Sequence, residues 1–207
     1  MPSAPRRALI VVDVQNEYFT GNLPIEYPPT DRSLPAIARA MVAAREASIP
    51  VVVVQHTAPA GAPIFDRGSP GGQLHPEIAR RPSDHRVEKS QASVFAGTDL
   101  AAWLAGQRVE TVTLVGYMTH NCDAASVFEA SHAGLQVEVL ADATGALPYA
   151  NRAGRATAEE IHRTFQVVFQ SNFAAVLSTD EWLAALATGS PPERDSVLAS
   201  SRRARLG

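Results

Sequence analysis

What most constrains this chain is a recurring alternation of two sequence patterns. Short runs of consecutive apolar, mostly β-branched residues lie at 8–12, 50–54, 111–115 and 137–140, with weaker ones at 167–169 and 174–177. A strand with one wet face alternates apolar and polar side chains. Runs that are apolar at successive positions therefore read as strands buried on both faces, as in a parallel sheet. Helical patterns fill the intervals. Residues 35–47 set Ile37, Met41, Val42 and Arg45 at helical spacing, with Ser33 as a cap. Residues 100–107 follow an N-cap at Thr98 and Asp99, and the segment after Cys122 ends near Gly134, a suitable C′ glycine. Another helix is expected at 156–165 after Gly154, and a last one, capped by Asp180, carries Trp182, Leu183 and Leu186. The alternation predicts an α/β fold with helices on both faces of a parallel sheet. A single domain is expected over 1–188, followed by a polar tail, 189–207, holding Arg202, Arg203 and Arg205 and read as mobile.

Composition excludes several classes of function. A formal net charge of −3 gives no electrostatic footing on nucleic acid or an anionic membrane. Arg6 and Arg7 precede an apolar stretch as in a signal peptide, but residues 8–12 are too few for one and run into Asp13. No run approaches the ~20 apolar residues of a membrane span. A soluble, cytoplasmic protein is the expectation. One cysteine cannot close an internal disulfide or supply a resolving thiol.

That cysteine is the most informative single residue. Cys122 follows Val112-Thr113-Leu114-Val115 and the turn Gly116-Tyr117-Met118-Thr119-His120-Asn121, and it precedes a helical segment, 123–130. A strand feeding a helix through a tight turn sets it at the helix N-terminus, where free N–H groups and the dipole favour the nucleophilic thiolate. A lone cysteine is also commonly a small buried hydrophobe. Asp13 ends the first apolar run, where the ordinary alternative is a turn cap. Lys89 ends Arg86-Val87-Glu88-Lys89, where the alternative is a solvated lysine. Taken together they say more. On parallel strands all three reach one carboxyl edge, which is where such sheets bind ligands. A carboxylate can accept the thiol proton, an ammonium can stabilise both anions, and N–H groups of the 119–122 turn can hold an oxyanion. That set suits acyl transfer from an amide to sulfur, then hydrolysis of the thioester. Long excursions at 17–29 and 55–86 leave two strand ends and are read as functional loops.

Three segments carry a family resemblance: 8–19 (Ala-Leu-Ile-Val-Val-Asp-Val-Gln-Asn-Glu-Tyr-Phe), 89–98 (Lys-Ser-Gln-Ala-Ser-Val-Phe-Ala-Gly-Thr) and 116–122 (Gly-Tyr-Met-Thr-His-Asn-Cys). In this order, and over about 8–182, the chain resembles the isochorismatase-like cysteine hydrolases, relatives of nicotinamidase and N-carbamoylsarcosine amidohydrolase. The resemblance implies a Rossmann-like three-layer α/β/α fold with a six-stranded parallel sheet. It implies a catalytic triad of Asp13, Lys89 and Cys122, with Asp13 as base toward the thiol and later as acid toward the leaving amine. It also implies a cis peptide between Tyr117 and Met118, beside the Cys122 turn, at the oxyanion position.

Departures from the family pattern narrow the reading. Metal-binding members carry an Asp-x-His pair after the second strand; here the segment reads Val53-Val54-Gln55-His56-Thr57, with no acid before Asp66. No metal and no cofactor are therefore expected, which disfavours nicotinamidase. His56 is expected to orient substrate or a loop, and His75 to make a local structural hydrogen bond. Asp123 stands where many relatives carry an apolar residue, marking a subgroup. The presence of Cys122 favours C–N hydrolysis over vinyl-ether cleavage. Expected substrate contacts are Phe19 and Tyr117, which flank triad residues, with Gln15, His56, Phe95 and His120, while Tyr18 and Phe65 lie on the same segments. A small amide is the expected partner, along with further copies of the chain. The competing readings are a catalytically silent binding subunit of this fold and a thiol redox protein.

Overall fold

The computed structural model describes residues 6–206. Strands β1 (Arg7–Val12), β2 (Val51–His56), β3 (His85–Lys89), β4 (Thr111–Tyr117) and β5 (Gln136–Gly145) alternate with helices α1 (Thr30–Glu46), α2 (Pro76–Ala79), α3 (Leu100–Gly106) and α4 (Ala124–His132). A short hairpin, β6 (Tyr149–Asn151) and β7 (Gly154–Ala156), then leads to α5 (Ala158–Val168), β8 (Ala175–Leu177), α6 (Thr179–Thr188) and α7 (Val197–Leu206). The main sheet has six strands in the order β3-β2-β1-β4-β5-β8, and every pairing is parallel.

The consecutive apolar runs have a direct cause. Side chains alternate across a strand, so β1 sends Leu9 and Val11 to one face, and Ala8, Ile10 and Val12 to the other. On the first face they meet Ile37, Met41 and Ala44 of α1 and Trp182 of α6. On the second they meet Leu100 and Leu104 of α3, Val127 and Ala130 of α4, and Phe169. Two cores flank one sheet, which makes three layers.

Several local expectations are corrected. The 167–169 run is not a strand. Val167 and Val168 end α5 and are 66% and 38% exposed, whereas Phe169 is buried, which is a helical spacing of burial. Helix α1 starts at Thr30, so Ser33 lies inside it, and its hydroxyl bonds the Tyr117 hydroxyl at 2.8 Å instead of capping. Helix α5 is capped by Thr157 in a reciprocal box with Glu160, and Gly154 belongs to the hairpin. Ser178, boxed with Glu181, caps α6, leaving Asp180 in the first turn. Asp99 occupies the N-cap of α3 without a side-chain bond there; the Thr98 hydroxyl accepts from the Leu100 amide at 3.3 Å instead. The stretch read as a tail contains α7, and Arg194 ahead of it donates to the Val137 carbonyl at 2.9 Å.

One glycine sets the approach of the central strands. At Gly116 (φ 118°) an added Cβ would lie 2.1 Å from the Val12 carbonyl oxygen. Only glycine lets the end of β4 close onto the end of β1 here.

Candidate active site

The site forms where β3, β2, β1 and β4 end side by side. Immediately after β1 the chain turns at Asp13, which holds φ 50° and donates its N–H to the Val54 carbonyl at 3.0 Å. A left-handed backbone costs a non-glycine residue of order 1 kcal/mol, least for Asp and Asn, and such outliers cluster at working sites. Lys89 closes β3 in register with His56 at the end of β2. After β4, the Tyr117–Met118 peptide is cis, as the family resemblance implied. Residues Thr119–Asp123 then make one wide helical turn into α4, with the Asp123 N–H on the Met118 carbonyl at 3.2 Å. Such turns recur at functional sites. Ser126 locks this turn to the lysine segment, donating to the Cys122 carbonyl at 2.6 Å and accepting from the Val94 amide at 3.0 Å.

These ends bring Asp13, Lys89 and Cys122 together, 0%, 3% and 6% exposed. The ammonium lies 2.6 Å from Asp13 Oδ2 in a fully buried ion pair. It donates to Cys122 Sγ at 3.2 Å and to the Gln91 carbonyl at 3.1 Å, and it lies 3.3 Å from His56 Nδ1. Asp13, His56 and Cys122 each offer a ligand atom within 4.8 Å of the others, close enough to suggest a metal. The lysine ammonium contacts all three, however, so the cation in this cluster is the protein's own.

Burial raises the Asp13 carboxyl above its ordinary range, against the pull of Lys89. Burial pulls the Lys89 ammonium down, but the Asp13 carboxylate first of all, with the hydrogen bond to Cys122 Sγ, more than offsets it and holds it above the usual lysine value. Burial, then the Asp13 charge, pushes the Cys122 thiol well up. Burial therefore works against the thiolate that the helix N-terminus is expected to favour. Desolvation favours the protonated sulfur at rest. Burial lowers His56, with Lys89 adding to it, and takes His120 down to about 4. Asp123 is fully buried, and neither carboxyl oxygen has a partner among the described residues. Burial, then the Asp13 charge, raises it to about 8, so it is mostly neutral at pH 7.

Beside Cys122 opens a cavity of about 450 Å³ lined by Tyr18, Leu23, Ala58, Ile64, Phe65, Ala92 and Met118, with His56, Asn121 and Tyr149 as polar members. Among the expected substrate contacts, His56 lines it and the others do not. Gln15 is fully buried, with its amide donating to the His56 and Gly72 carbonyls (2.9 and 2.7 Å) and accepting from the His56 N–H (2.9 Å). It clamps loops rather than substrate. Phe19 stacks at a tilt on His75 (4.3 Å between centroids), and Tyr117 lies beneath the wall against Tyr18. Phe95 packs on the core under α3 and α4, and His120 lies against Tyr149 and Phe165. His75 does make a local bond, its Nδ1 accepting from the Glu77 amide at 3.2 Å to cap α2. Sequence reasoning missed Leu23, Ala58, Ile64, Ala92, Asn121 and Tyr149 as wall residues. The one signal for the first three was their place in the two long loops.

The six-stranded parallel sheet between two helical layers has known counterparts. The isochorismatase domain model matches residues 7–181. A solved structure named for the isochorismatases, from Burkholderia xenovorans LB400, shares 61% identity and superposes with a TM-score of 0.97, covering 98% of each chain. The secreted isochorismatase effector Isc1 of Verticillium dahliae is 33% identical over 66% of this chain and 71% of its own. Maleamate amidohydrolase of Pseudomonas putida is 28% identical over 67% of this chain and 71% of its own. The chain belongs to the isochorismatase family of hydrolases. Among the described residues, no helix is long and apolar enough to cross a membrane.

Proposed function

We propose that this protein is a metal-independent cysteine hydrolase that cleaves a C–N bond (amide, carbamoyl or lactam-like) of a small molecule through a thioester. The observation that carries the reading is the buried cluster of Asp13, Lys89 and Cys122 beside a cavity. A thiol that keeps its proton at rest needs a base at the moment of attack, and the Asp13 carboxylate, raised by burial, is a competent acceptor. Sulfur attacks the carbonyl carbon as its proton passes to Asp13. The C–N bond then breaks, and Asp13 returns the proton to the leaving nitrogen. Water, deprotonated by the same carboxylate, hydrolyses the thioester and restores the thiol. Lys89 stays charged throughout and keeps Asp13 anionic between proton transfers. An amidohydrolase among the relatives supports the bond type.

The test is ammonia release from a panel of small amides and ureido compounds, with ring opening of lactams followed by mass spectrometry, by wild type and Cys122→Ala, with and without chelator. Release that depends on Cys122 and survives chelation is expected. Release that persists in Cys122→Ala, or stops with chelator, would refute the mechanism.

A further inference from the structure

We propose, resting on the amide-hydrolase reading above, that the acyl part of the substrate is uncharged and largely apolar, because the cavity beside Cys122 offers a charged group no countercharge. Its walls are mostly apolar, with side chains of Leu23, Ala58, Ile64, Phe65 and Met118 and the ring of Tyr18, and its polar members, His56, Asn121 and Tyr149, are uncharged groups at neutral pH. Tyr18 and Phe65 meet edge to face at 5.3 Å, and His56 meets Phe65 at 5.0 Å, a surface suited to a flat or branched apolar group.

The charges nearest this cavity are already committed. Asp13 and Lys89 neutralise each other, and the ammonium's remaining donors go to Gln91 and Cys122. His56, on the wall, is held neutral at pH 7 by burial and by Lys89, and His120, close behind Tyr149, is neutral as well. Arg67, in the loop that supplies Ile64 and Phe65, is turned to Glu88 (3.1 Å) and to the Thr57 hydroxyl (3.1 Å). Among the described residues no guanidinium lines the cavity. A carboxylate entering with the acyl group would lose its water and gain no countercharge, and an isolated buried charge is strongly disfavoured. An entering ammonium would meet apolar walls and an Asp13 already paired. Selectivity for neutral acyl groups follows from what the walls exclude as much as from what they hold.

The experiment compares amides of similar size and different charge: benzamide and isovaleramide against maleamate and succinamate, with glycinamide as the cationic member. A preference of about 100-fold or more in kcat/KM for the neutral pair is expected, from the unpaired charge alone. Parity, or a preference for maleamate or succinamate, would overturn the inference. A second readout does not require turnover. Benzaldehyde and 4-carboxybenzaldehyde each form a hemithioacetal, in which Sγ bonds the carbonyl carbon and the thiol proton passes to oxygen. That adduct shields the sole cysteine from iodoacetamide, which mass spectrometry counts directly. Protection by benzaldehyde at concentrations at least tenfold lower supports the inference even if no amide is hydrolysed, in which case only the hydrolase reading falls. Equal protection by both aldehydes, or none by benzaldehyde, overturns the inference itself.

Discussion

Among the described residues, two buried ion pairs lie on the central sheet, and they are finished differently. Near the amino ends of the strands, Arg7 grips Glu138 through Nε (3.1 and 3.2 Å) and Nη2 (2.9 Å). The same carboxylate also accepts from the Thr113 hydroxyl at 2.7 Å and the Trp182 indole at 3.0 Å. That network joins β1, β4, β5 and α6 with every oxygen used. At the carboxyl ends, Asp13 and Lys89 are as deeply buried, yet the carboxylate pairs with the ammonium without the surrounding hydroxyl and indole donors that Glu138 has, and it faces a thiol beside a cavity. A saturated buried pair holds elements together, whereas an under-satisfied one keeps a carboxylate free to take a proton.

The sharpest way to break this comparison is to disable each pair and read both activity and stability. Cys122→Ala should lower kcat by about 10⁴-fold or more while changing the denaturant midpoint little, since it removes one small atom beside a cavity. Asp13→Asn should come within about tenfold of that loss. If it kept most of the activity, Asp13 would not be the base. Glu138→Gln should do the reverse, costing about 3–5 kcal/mol of unfolding free energy because it leaves Arg7 buried without a countercharge. Its kcat/KM per folded molecule should stay within about threefold of wild type, and a large loss of activity in the folded fraction would erase the contrast between the two ends.

Asp123 sharpens the comparison through pH. Its carboxyl sits at about 8 in the fold, far above its ordinary value of 3.8. Between those pH values the unfolded chain has released a proton that the native state still holds, so the native state binds more protons. Stability therefore falls as pH rises from about 4 to about 8, at a slope of up to ~1.4 kcal/mol per pH unit, and levels off above. Asp123→Asn should lose that slope and gain most at pH 8, as read by urea unfolding across the range. An unchanged slope would mean the carboxyl ionises normally. The smallest effect is expected at Ser33→Ala, which leaves the buried Tyr117 hydroxyl without its partner, for about 1–2 kcal/mol. Thermal unfolding would measure it.

Local signals account for what could be read in advance. Strands buried on both faces announce themselves as consecutive apolar residues, and an acid directly after such a run, as at Asp13, marks a strand end. Once the strands are parallel, Asp13, Lys89 and Cys122 must share an edge, so the amino-acid sequence by itself determined the three-layer fold and that convergence. Where it misled, the competing effect was non-local. The 167–169 run looks like a strand because apolarity over three residues cannot distinguish a strand from a helix end. Ser33 looks like a cap because its tyrosine partner is 84 positions away. Phe19 and Gln15 look like pocket residues because they neighbour Asp13 in sequence, although the turn after β1 aims them at the core and at the 55–86 loop. Only the tertiary structure decided that burial works against the Cys122 thiolate, that the Lys89 ammonium contacts Asp13, His56 and Cys122, and that the cavity walls are mostly apolar and hold no guanidinium among the described residues. Each of those depends on desolvation and on contacts between loops far apart in the chain, quantities that no local window of residues contains.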